Sequence, residues 1–288
     1  PAFLYTKGGD HQVFLTATSE NNCATTDDRT FTLAVKPVAD FYWRNECFHA
    51  DSSIHFFDNT ISESEITSRT WKFMPADTLR TVKNPEYEYA DTGYLPVQYI
   101  VNTGFAGCND TITRNVYIRP TVELLPGDQY FEQFEGGRGG WEPDYELRNS
   151  WTFGTPDRDV IKTAASGTGA WYTGYDKLNQ EVESSSVISP CFDFSEIERP
   201  MIRLQLWKRF ETNRDGAALQ YKIGDSGSWE YVGDFDDGIN WYNSTIIKGR
   251  PGGGQVGWTS KGTPETKWSE ASHKLEELTG KRNVKFRL

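Results

Sequence analysis

Apolar and polar residues alternate along short segments of this chain, which is the period-two pattern of β-strands. In the first region, residues 13–17 and 31–35 alternate in this way. A polar, turn-like stretch over residues 20–28 separates them, and Lys36 and Pro37 follow them. This arrangement predicts a β-hairpin followed by an exit from the sheet.

A matching arrangement recurs about 85 residues further along the chain. Residues 97–101 alternate, a glycine-rich turn with Cys108 follows, and residues 116–118 alternate again before Arg119 and Pro120. The chain therefore contains an internal repeat. Because proline ends strand pairing and stiffens the connection after it, we expect domain boundaries at the two matching prolines.

The pattern as a whole predicts an all-β protein with tandem sandwiches followed by a jelly-roll β-sandwich. Residues 1–39 are expected to be the last strands of one domain, residues 40–122 a complete domain, and residues 123–288 a third domain. The alternation over residues 283–288 has nothing after it to finish a sheet, so we expect this third domain to be truncated at its C-terminus. Strands are indicated within it at 187–189, 202–207, 218–223 and 228–232, and a short helix at 269–278.

Composition agrees with strands and argues against two classes of partner. Aromatic residues make up 14% of the chain, which favours sheets over helices. With 41 acidic against 30 basic side chains the formal net charge is −11, so the protein repels nucleic-acid backbones and anionic lipid headgroups. No stretch approaches the roughly 20 consecutive apolar residues that a membrane helix needs. We therefore expect neither a nucleic-acid partner nor membrane insertion.

Motifs for catalysis are missing from the sequence. The four histidines are scattered, and none has the spacing of metal ligands. No Gly-x-Ser-x-Gly elbow occurs, and the glycines at 252–254 are not followed by the Lys-Ser or Lys-Thr of a phosphate-binding loop. A carboxylate pair for glycoside hydrolysis is defined by separation in space, and the sequence singles none out. We predict that the protein is not an enzyme and needs no catalytic cofactor.

Three aromatic residues stand in segments rich in glycine and asparagine: Trp241, Tyr242 and Trp258. If these side chains are exposed, they could stack on the rings of a sugar in a binding groove. The alternative is a packing role, because most tryptophans of a β-sandwich belong to its core.

Residues 40–122 resemble the polycystic kidney disease (PKD) domain, an immunoglobulin-like sandwich. The matching words are, in order, Trp71-Lys-Phe73, Asn84-Pro-Glu-Tyr-Glu-Tyr89, Asp91-Thr-Gly93-Tyr94 and Val97. The resemblance implies a core with four aromatic residues, Trp71, Phe73, Tyr89 and Tyr94. It also implies that residues 1–39 end a preceding PKD-like domain. The turn after Phe73 must differ, because residues 74–77 replace the usual Gly-Asp-Gly.

The third region looks like the MAM-like or cleaved-adhesin jelly-roll modules of surface proteins in Bacteroidota. The matching words are Phe134-Glu135-Gly-Gly with Trp141, Ser150-Trp151-Thr-Phe-Gly154, Ala170-Trp171, Ser189-Pro-Cys191-Phe-Asp193 and Gly227-Ser-Trp229-Glu-Tyr-Val-Gly233. Beside PKD repeats, such a module implies a secreted cell-surface protein that leaves through the type IX secretion system and acts in adhesion or gliding motility.

This resemblance also implies the partners. They are a surface glycan or protein ligand that the sequence does not name, and the export machinery. The alternative is a set of ancillary modules that target a secreted hydrolase to its substrate or bind carbohydrate.

The resemblance implies a disulfide between Cys47, on an early strand, and Cys108, in the late hairpin. By the same repeat, Cys23 is the equivalent of Cys108, so its partner would lie upstream of Pro1, and Cys191 is left over. A disulfide suits an oxidising, extracellular setting. The alternative is that all four cysteines are buried thiols.

Two further kinds of site follow from the resemblance. Glu135 matches the glutamate that contributes to a structural calcium site in such jelly rolls, since carboxylate oxygens are hard ligands; the alternative is an unliganded surface carboxylate. Thr78 and Thr111 each stand in an Asp-Thr-apolar word that is similar to the O-glycosylation signal of Bacteroidota. Both threonines are expected on turns, where a transferase can reach them.

Overall fold

A computed structural model of the protein describes residues 2–49, 53–144, 149–174, 184–225, 227–262 and 265–288. These residues form strands, turns and two short 3₁₀ segments, so the predicted all-β class is confirmed. None of the described segments is a helix long and apolar enough to cross a bilayer. The chain divides into two compact units. Unit 1 comprises Pro1–Glu46 and Ala50–Ile118, and unit 2 comprises Cys47–His49 and Arg119–Leu288.

Unit 1 contains one hairpin and two further sheets. Its strands are β1 (Gly9–Thr18), β2 (Ala24–Leu33), β3 (Phe41–Arg44), β4 (Ile54–Asp58), β5 (Ser68–Phe73), β6 (Thr78–Arg80), β7 (Glu86–Tyr87), β8 (Gly93–Asn102) and β9 (Asn109–Ile118). β1 and β2 form an antiparallel hairpin, β3, β4 and β7 form one sheet, and the order of the other sheet is β6-β5-β8-β9. Both hairpins that the alternation predicts are present.

The core of unit 1 is aromatic. Trp71 and Phe73 are two residues apart on β5, so they share a face, and both are fully buried. Trp71 stacks on Tyr99 of β8 with ring centroids 3.9 Å apart. From the other sheet, Phe41 lies 5.2 Å from Trp71 and Phe56 lies 5.0 Å from Phe73. The predicted core roles of Trp71 and Phe73 are therefore confirmed.

The other two aromatic residues assigned to this core behave differently. Tyr89 is half-buried and lies edge-on to Phe73 at 6.4 Å. Tyr94 is 44% exposed and packs on Tyr117 outside the core, so its predicted core role was wrong. The cause is register: Tyr94 is an odd number of residues from Val97, and the buried residues of β8 face the opposite way.

Unit 2 contains a larger sheet and two strand pairs. Its strands are β10 (Thr121–Glu123), β11 (Glu142–Pro143), β12 (Thr152–Gly154), β13 (Ala170–Tyr172), β14 (Val187–Ile188), β15 (Cys191–Asp193), β16 (Met201–Leu206), β17 (Gln220–Ile223), β18 (Glu230–Tyr231), β19 (Ser269–Lys274) and β20 (Val284–Arg287). The large sheet has the order β10-β15-β20-β14-β11, and β17 pairs with both β20 and β18. The strand indicated at residues 283–288 is thus paired with three others.

The helix predicted at residues 269–278 is absent. Residues Ser269–Lys274 form β19, which pairs antiparallel with β16, and Glu276–Leu278 form a single 3₁₀ turn. Ala271 and Leu275 have the i, i+4 spacing of a helix, and both are buried. The hydrogen-bonded ladder with β16 outweighs that local spacing, because pairing and packing override intrinsic propensity.

The disulfide joins Cys47 to Cys191, with Cα atoms 5.7 Å apart, so the predicted pairing of Cys47 with Cys108 was wrong. The backbone N–H of Phe48 donates to the carbonyl of Arg119, and the N–H of Cys191 donates to the carbonyl of Pro120. Residues on both sides of Pro120 therefore align the two cysteines within unit 2. This alignment depends on segments far apart in sequence, so no local pattern reveals it.

Cys108 and Cys23 are both free thiols. Cys108 ends the loop between β8 and β9, where its carbonyl accepts hydrogen bonds from the N–H and the hydroxyl of Thr103. Cys23 ends the loop between β1 and β2, where its carbonyl accepts from the N–H of Ser19. The two cysteines thus occupy matching loops, as the internal repeat predicts, and Cys191 is not the cysteine left over.

Candidate functional site

The aromatic residues expected to stack on a ligand are in the core instead. Trp241, Tyr242 and Trp258, here called the buried aromatic group, are 2%, 0% and 1% exposed, so their prediction as ligand-stacking residues was wrong. The ring of Trp258 meets those of Trp241 and Tyr242 edge-on, at 4.9 and 4.7 Å. The glycine- and asparagine-rich segments that carry them cover the core of unit 2 instead of projecting into solvent.

The polar atoms of the buried aromatic group are all satisfied by backbone. Trp241 Nε1 donates to the carbonyl of Val232 at 2.8 Å, and Trp258 Nε1 donates to that of Asn240 at 3.0 Å. The Tyr242 hydroxyl donates to the carbonyl of Leu219 and accepts from its N–H. Burial raises the pKa of Tyr242 well above its usual range. This group has no donor left for a ligand.

A cleft elsewhere in unit 2 carries accessible aromatic rings. Its volume is about 230 Å³, which is below the roughly 300–1,000 Å³ of sites that enclose a drug-sized ligand. It would therefore receive one ring or a short segment of a larger molecule. The residues that line this aromatic cleft are Arg138, Pro143, Asn149, Trp151, Thr152, Phe153 and Trp171.

Strand pairing explains why three aromatic rings meet in the cleft. Phe153 of β12 lies directly opposite Trp171 of β13, and residues that are opposite in an antiparallel pair share a face. Trp151, which directly precedes β12, also lines the cleft. The Phe153 and Trp171 rings are 5.5 Å apart. The sequence analysis does not predict Trp151 or Trp171 as ligand-binding residues, although the period-two spacing of aromatic residues at 151 and 153, beside a polar segment, indicates such a site.

Asn149 holds Trp151 in place through the backbone. Its amide nitrogen donates to the carbonyls of Asp144 and Ser186, at 3.0 and 2.8 Å, and its amide oxygen accepts from the N–H of Trp151 at 2.8 Å. The indole N–H of Trp151 has no hydrogen-bond partner among the described residues. Asn149 therefore fixes the backbone of Trp151 at the edge of the cleft.

Arg138 brings a positive charge to the cleft. Its guanidinium lies 5.8 Å from the centre of the Trp171 ring, within the range of a cation–π contact. Nη1 donates to Glu142 Oε2 at 2.7 Å, and Glu142 is itself buried. The ion pair with Glu142 fixes the guanidinium beside the Trp171 ring.

Glu135 anchors the segment that leads into β13. Its Oε1 accepts from the N–H groups of Thr168 and Gly169, both at 2.7 Å, and its Oε2 accepts from the Thr168 hydroxyl at 2.9 Å. The N–H of Gly169, followed by the two donors of Thr168, lowers the pKa of Glu135. A Cβ at Gly169 would lie 2.2 Å from the carbonyl oxygen of Phe134, so only glycine fits there. The carboxylate thereby sets the position of Trp171.

The calcium role of Glu135 stays a prediction. A calcium ion needs several oxygen ligands around it, whereas the oxygens of Glu135 face hydrogen-bond donors. The described part of the chain contains no group of three His, Cys, Asp or Glu residues that could hold a metal ion. Glu135 acts here as an acceptor for a turn.

The two threonines predicted as glycosylation sites are on strands, so the expected position on turns was wrong. Thr78 is the first residue of β6, directly after the hairpin turn from β5, and its hydroxyl lies 3.4 Å from that of Tyr87. Thr111 lies within β9, opposite Ile100, and is exposed. Modification of either residue stays a prediction.

A second concavity in unit 2 has a volume of about 400 Å³ and lies beside Asp193, Ser195 and Arg282. The carboxylate of Asp193 accepts from the N–H of Ser195 and from Arg282 Nε, both at 2.8 Å. Because its acid is already paired in this way, the concavity lacks a free catalytic carboxylate at that position.

Comparisons with known proteins add little to this geometry. No protein-family model matches the chain, and no curated protein matches it. One similar solved structure is described as "Structural basis for the promiscuous specificity of the carbohydrate-binding modules from the beta-sandwich super family". It is 16% identical, the match covers 88% of this chain and 91% of that chain, and the TM-score is 0.29. At that TM-score the likeness carries no argument about this protein.

Proposed function

We propose that unit 2 is a non-catalytic module that binds carbohydrate through the aromatic cleft, within an extracellular modular protein. The observation that carries the proposal is the meeting of Trp151, Phe153 and Trp171 on one accessible face beside Arg138. One face of a sugar ring is lined by C–H groups and packs on aromatic rings, while its hydroxyls need hydrogen-bond partners at the edge of the contact.

The polar groups of the cleft suit such a ligand. Trp151 Nε1 can donate to a sugar hydroxyl, and the Arg138 guanidinium lies beside the Trp171 ring at the edge of this surface. The small size of the cleft predicts weak binding per site, with a Kd on the order of 10 μM to 1 mM, or about −7 to −4 kcal/mol. Useful attachment would then come from several copies acting together.

The described carboxyl groups with shifted pKa values are hydrogen-bonded or ion-paired acceptors. Each described carboxyl whose pKa departs from its ordinary value has it lowered, as for Glu135 and Asp193. At Asp193 burial opposes the shift, but hydrogen bonds from Ser195 and Arg282 outweigh it. A general acid needs a raised pKa instead.

The finer proposal is a cell-surface adhesin of the type IX secretion route, with unit 1 as a stalk. Its supports are the resemblance of residues 40–122 to PKD repeats, that of residues 123–288 to adhesin modules, and a disulfide that suits an oxidising compartment. Gliding motility and contact with the export machinery belong to the same proposal. Ancillary modules of a secreted hydrolase would use the same cleft, and the sequence flanking the 288 residues in the parent protein separates the two.

A glycan array with the full chain, followed by calorimetry on the best ligand, tests carbohydrate binding. Trp171→Ala and Trp151→Ala should each weaken binding at least 10-fold, because each removes a stacking surface. Tyr94→Ala is the matched control, since it removes an exposed aromatic ring from unit 1 and should leave affinity unchanged. Binding of no glycan by the parent chain, or equal affinity in all three variants, would overturn the proposal.

A further inference from the structure

Three loops of unit 2 are held against one another by hydrogen bonds. They are called the basic loops and comprise residues 208–215, 244–251 and 259–267, all described except 263 and 264. The N–H of Lys248 donates to the carbonyl of Asn213 at 2.9 Å, and the N–H of Phe210 donates to the hydroxyl of Ser260 at 2.8 Å. The first of these loops therefore lies between the other two.

The basic loops concentrate positive charge in an acidic protein. The whole chain has a formal net charge of −11, whereas these loops contain seven Lys or Arg residues against three Asp or Glu, a net charge of +4. Backbones joined by hydrogen bonds lie about 5 Å apart, which is inside the Debye length of about 8 Å at physiological ionic strength. The charges of the three loops therefore act together on an approaching ion.

Several of these cations have no acid beside them. Two of the three acids are already paired within the loops, in Lys208–Glu265 at 3.1 Å and Arg214–Glu211 at 3.3 Å. Three exposed cations, one on each loop, have no ion pair among the described residues. They are Arg209, Lys248 and Lys261. The free charges of the surface are thus positive and come from all three loops.

The turn that carries Arg250 is fixed by two side chains from the large sheet. Gln220 of β17 donates from Nε2 to the carbonyl of Gly252 at 3.0 Å, and the hydroxyl of Tyr231 in β18 donates to the carbonyl of Pro251. The glycine-rich segment is therefore held in place by the sheet beneath it. Because its backbone is already ordered, the exposed Arg250 gives up less conformational freedom when it binds a ligand.

The surface of these loops has little apolar area for a protein partner. Ile246 is the exposed large apolar side chain in their described part, and Phe210, their one aromatic residue, is half-buried. Protein interfaces usually centre on aromatic and apolar residues, and single-stranded nucleic acids need exposed aromatic rings on which bases stack. The basic loops instead suit a hydrated ligand that is recognised by its charges.

We propose that the basic loops bind an anionic polysaccharide, whose sugar rings carry carboxylate or sulfate groups. Arginine guanidinium groups can donate two parallel hydrogen bonds to one such group, and lysine ammonium groups supply point charges. The site shares no residue with the aromatic cleft, and the proposal does not depend on carbohydrate binding there. Unit 2 would then recognise charge on one surface and the face of a sugar ring on another.

Binding of polygalacturonate and dextran sulfate to the full chain tests the proposal, with uncharged dextran as the negative probe. Raising NaCl from about 50 to 200 mM should weaken binding of both polyanions roughly 10-fold or more, because bound counterions are released on association. The loop variant carries Arg209→Gln, Lys248→Gln and Lys261→Gln, all at exposed positions. It should bind at least about 10-fold more weakly than the parent chain at the lower salt concentration.

The matched control carries the same change in net charge at three other exposed cations of unit 2. Its substitutions are Arg203→Gln, Lys274→Gln and Lys281→Gln. Its affinity should stay within about 2-fold of the parent chain. Equal weakening in the two triple variants would overturn the proposal, because overall charge and not the basic loops would then account for binding.

Further outcomes would assign the charge to a different role. Trp151→Ala and Trp171→Ala should bind both polyanions like the parent chain, and loss of binding there would place the polyanion in the aromatic cleft and overturn the proposal. Equal affinity for single-stranded DNA would overturn it in favour of nucleic acid. Failure to bind either polyanion, with self-association at low salt that the loop variant loses, would assign the surface to a second copy of the chain.

Discussion

Unit 2 contains two sets of aromatic residues with the same chemistry and opposite environments. In the buried aromatic group each polar atom has a backbone partner. In the aromatic cleft the rings line one accessible surface, and the indole N–H of Trp151 has no hydrogen-bond partner among the described residues. Residue type therefore does not separate core from site. The core residues are distinguished from the site residues by their satisfied hydrogen bonds and by the face of the sheet on which strand register places them.

The largest expected effect comes from emptying the buried aromatic group. Trp258→Ala should destabilise unit 2 by about 3–5 kcal/mol, because it leaves a cavity among close-packed rings. Trp151→Ala should cost about 1 kcal/mol, since its ring is already partly hydrated. Urea unfolding of both variants, with the disulfide intact, measures the difference. Equal destabilisation would erase the distinction between the two sets.

The cysteines divide in the same way, into a buried pair and two free thiols. Replacing both Cys47 and Cys191 with Ala should destabilise unit 2 by about 2–4 kcal/mol, since the unfolded chain then loses a covalent restraint. Replacing Cys23 and Cys108 with Ser should leave the unfolding midpoint nearly unchanged. Alkylation of the denatured protein should modify two cysteines before reduction and four after it; four before reduction would contradict the disulfide.

A smaller effect is expected from one buried hydroxyl. Tyr242→Phe should destabilise unit 2 by about 1–3 kcal/mol, because the buried N–H of Leu219 loses its partner, while the Leu219 carbonyl keeps only the N–H of Val232. Tyr42→Phe, at an exposed ring of unit 1, is the control and should change the unfolding free energy by less than about 0.5 kcal/mol. If both variants change the unfolding free energy by the same amount, the hydrogen bonds of the Tyr242 hydroxyl do not stabilise unit 2.

The smallest effect concerns the pH dependence of the turn held by Glu135. Its folded pKa lies below the unfolded value of about 4.3. The turn is therefore held above that value, and the restraint is lost as pH falls through the lowered pKa. Amide chemical shifts of Thr168 and Gly169 should titrate with a midpoint below that of a glutamate in an unfolded chain, and Glu135→Gln should abolish the titration. A midpoint at or above that value would refute the anchoring role.

The strands could largely be read from the sequence, because alternation is a local property. The hairpin around Cys108 follows from apolar residues at 97–101 and 116–118, and Trp71 and Phe73 are buried as their spacing predicts. The core role predicted for Tyr94 is wrong, because Tyr94 is an odd number of residues from the buried positions of β8 and faces the other side of the sheet. The helix predicted at residues 269–278 is wrong because this segment pairs with β16, about 65 residues earlier in the chain, and that pairing determines its conformation.

The site could not be read in the same way. Whether Trp241 or Trp171 meets solvent depends on which segments fold over the core, and no local pattern records that. The partner of Cys47 depends on alignment with residues on both sides of Pro120 and with Cys191. The contact between Phe153 and Trp171 could have been predicted only if the register between β12 and β13 were known.

The bond between Cys47 and Cys191 also has a mechanical consequence. It closes a loop of 144 residues, and the residues of the aromatic cleft stand inside that loop in sequence. When the two ends of the chain are pulled apart, tension passes through the sulfur atoms and bypasses residues 48–190. About 500 Å of extensible chain is withheld in this way, at roughly 3.5 Å per residue. After reduction of the disulfide, that length would be released when unit 2 unfolds under tension, so thiol chemistry would set how far the protein can stretch.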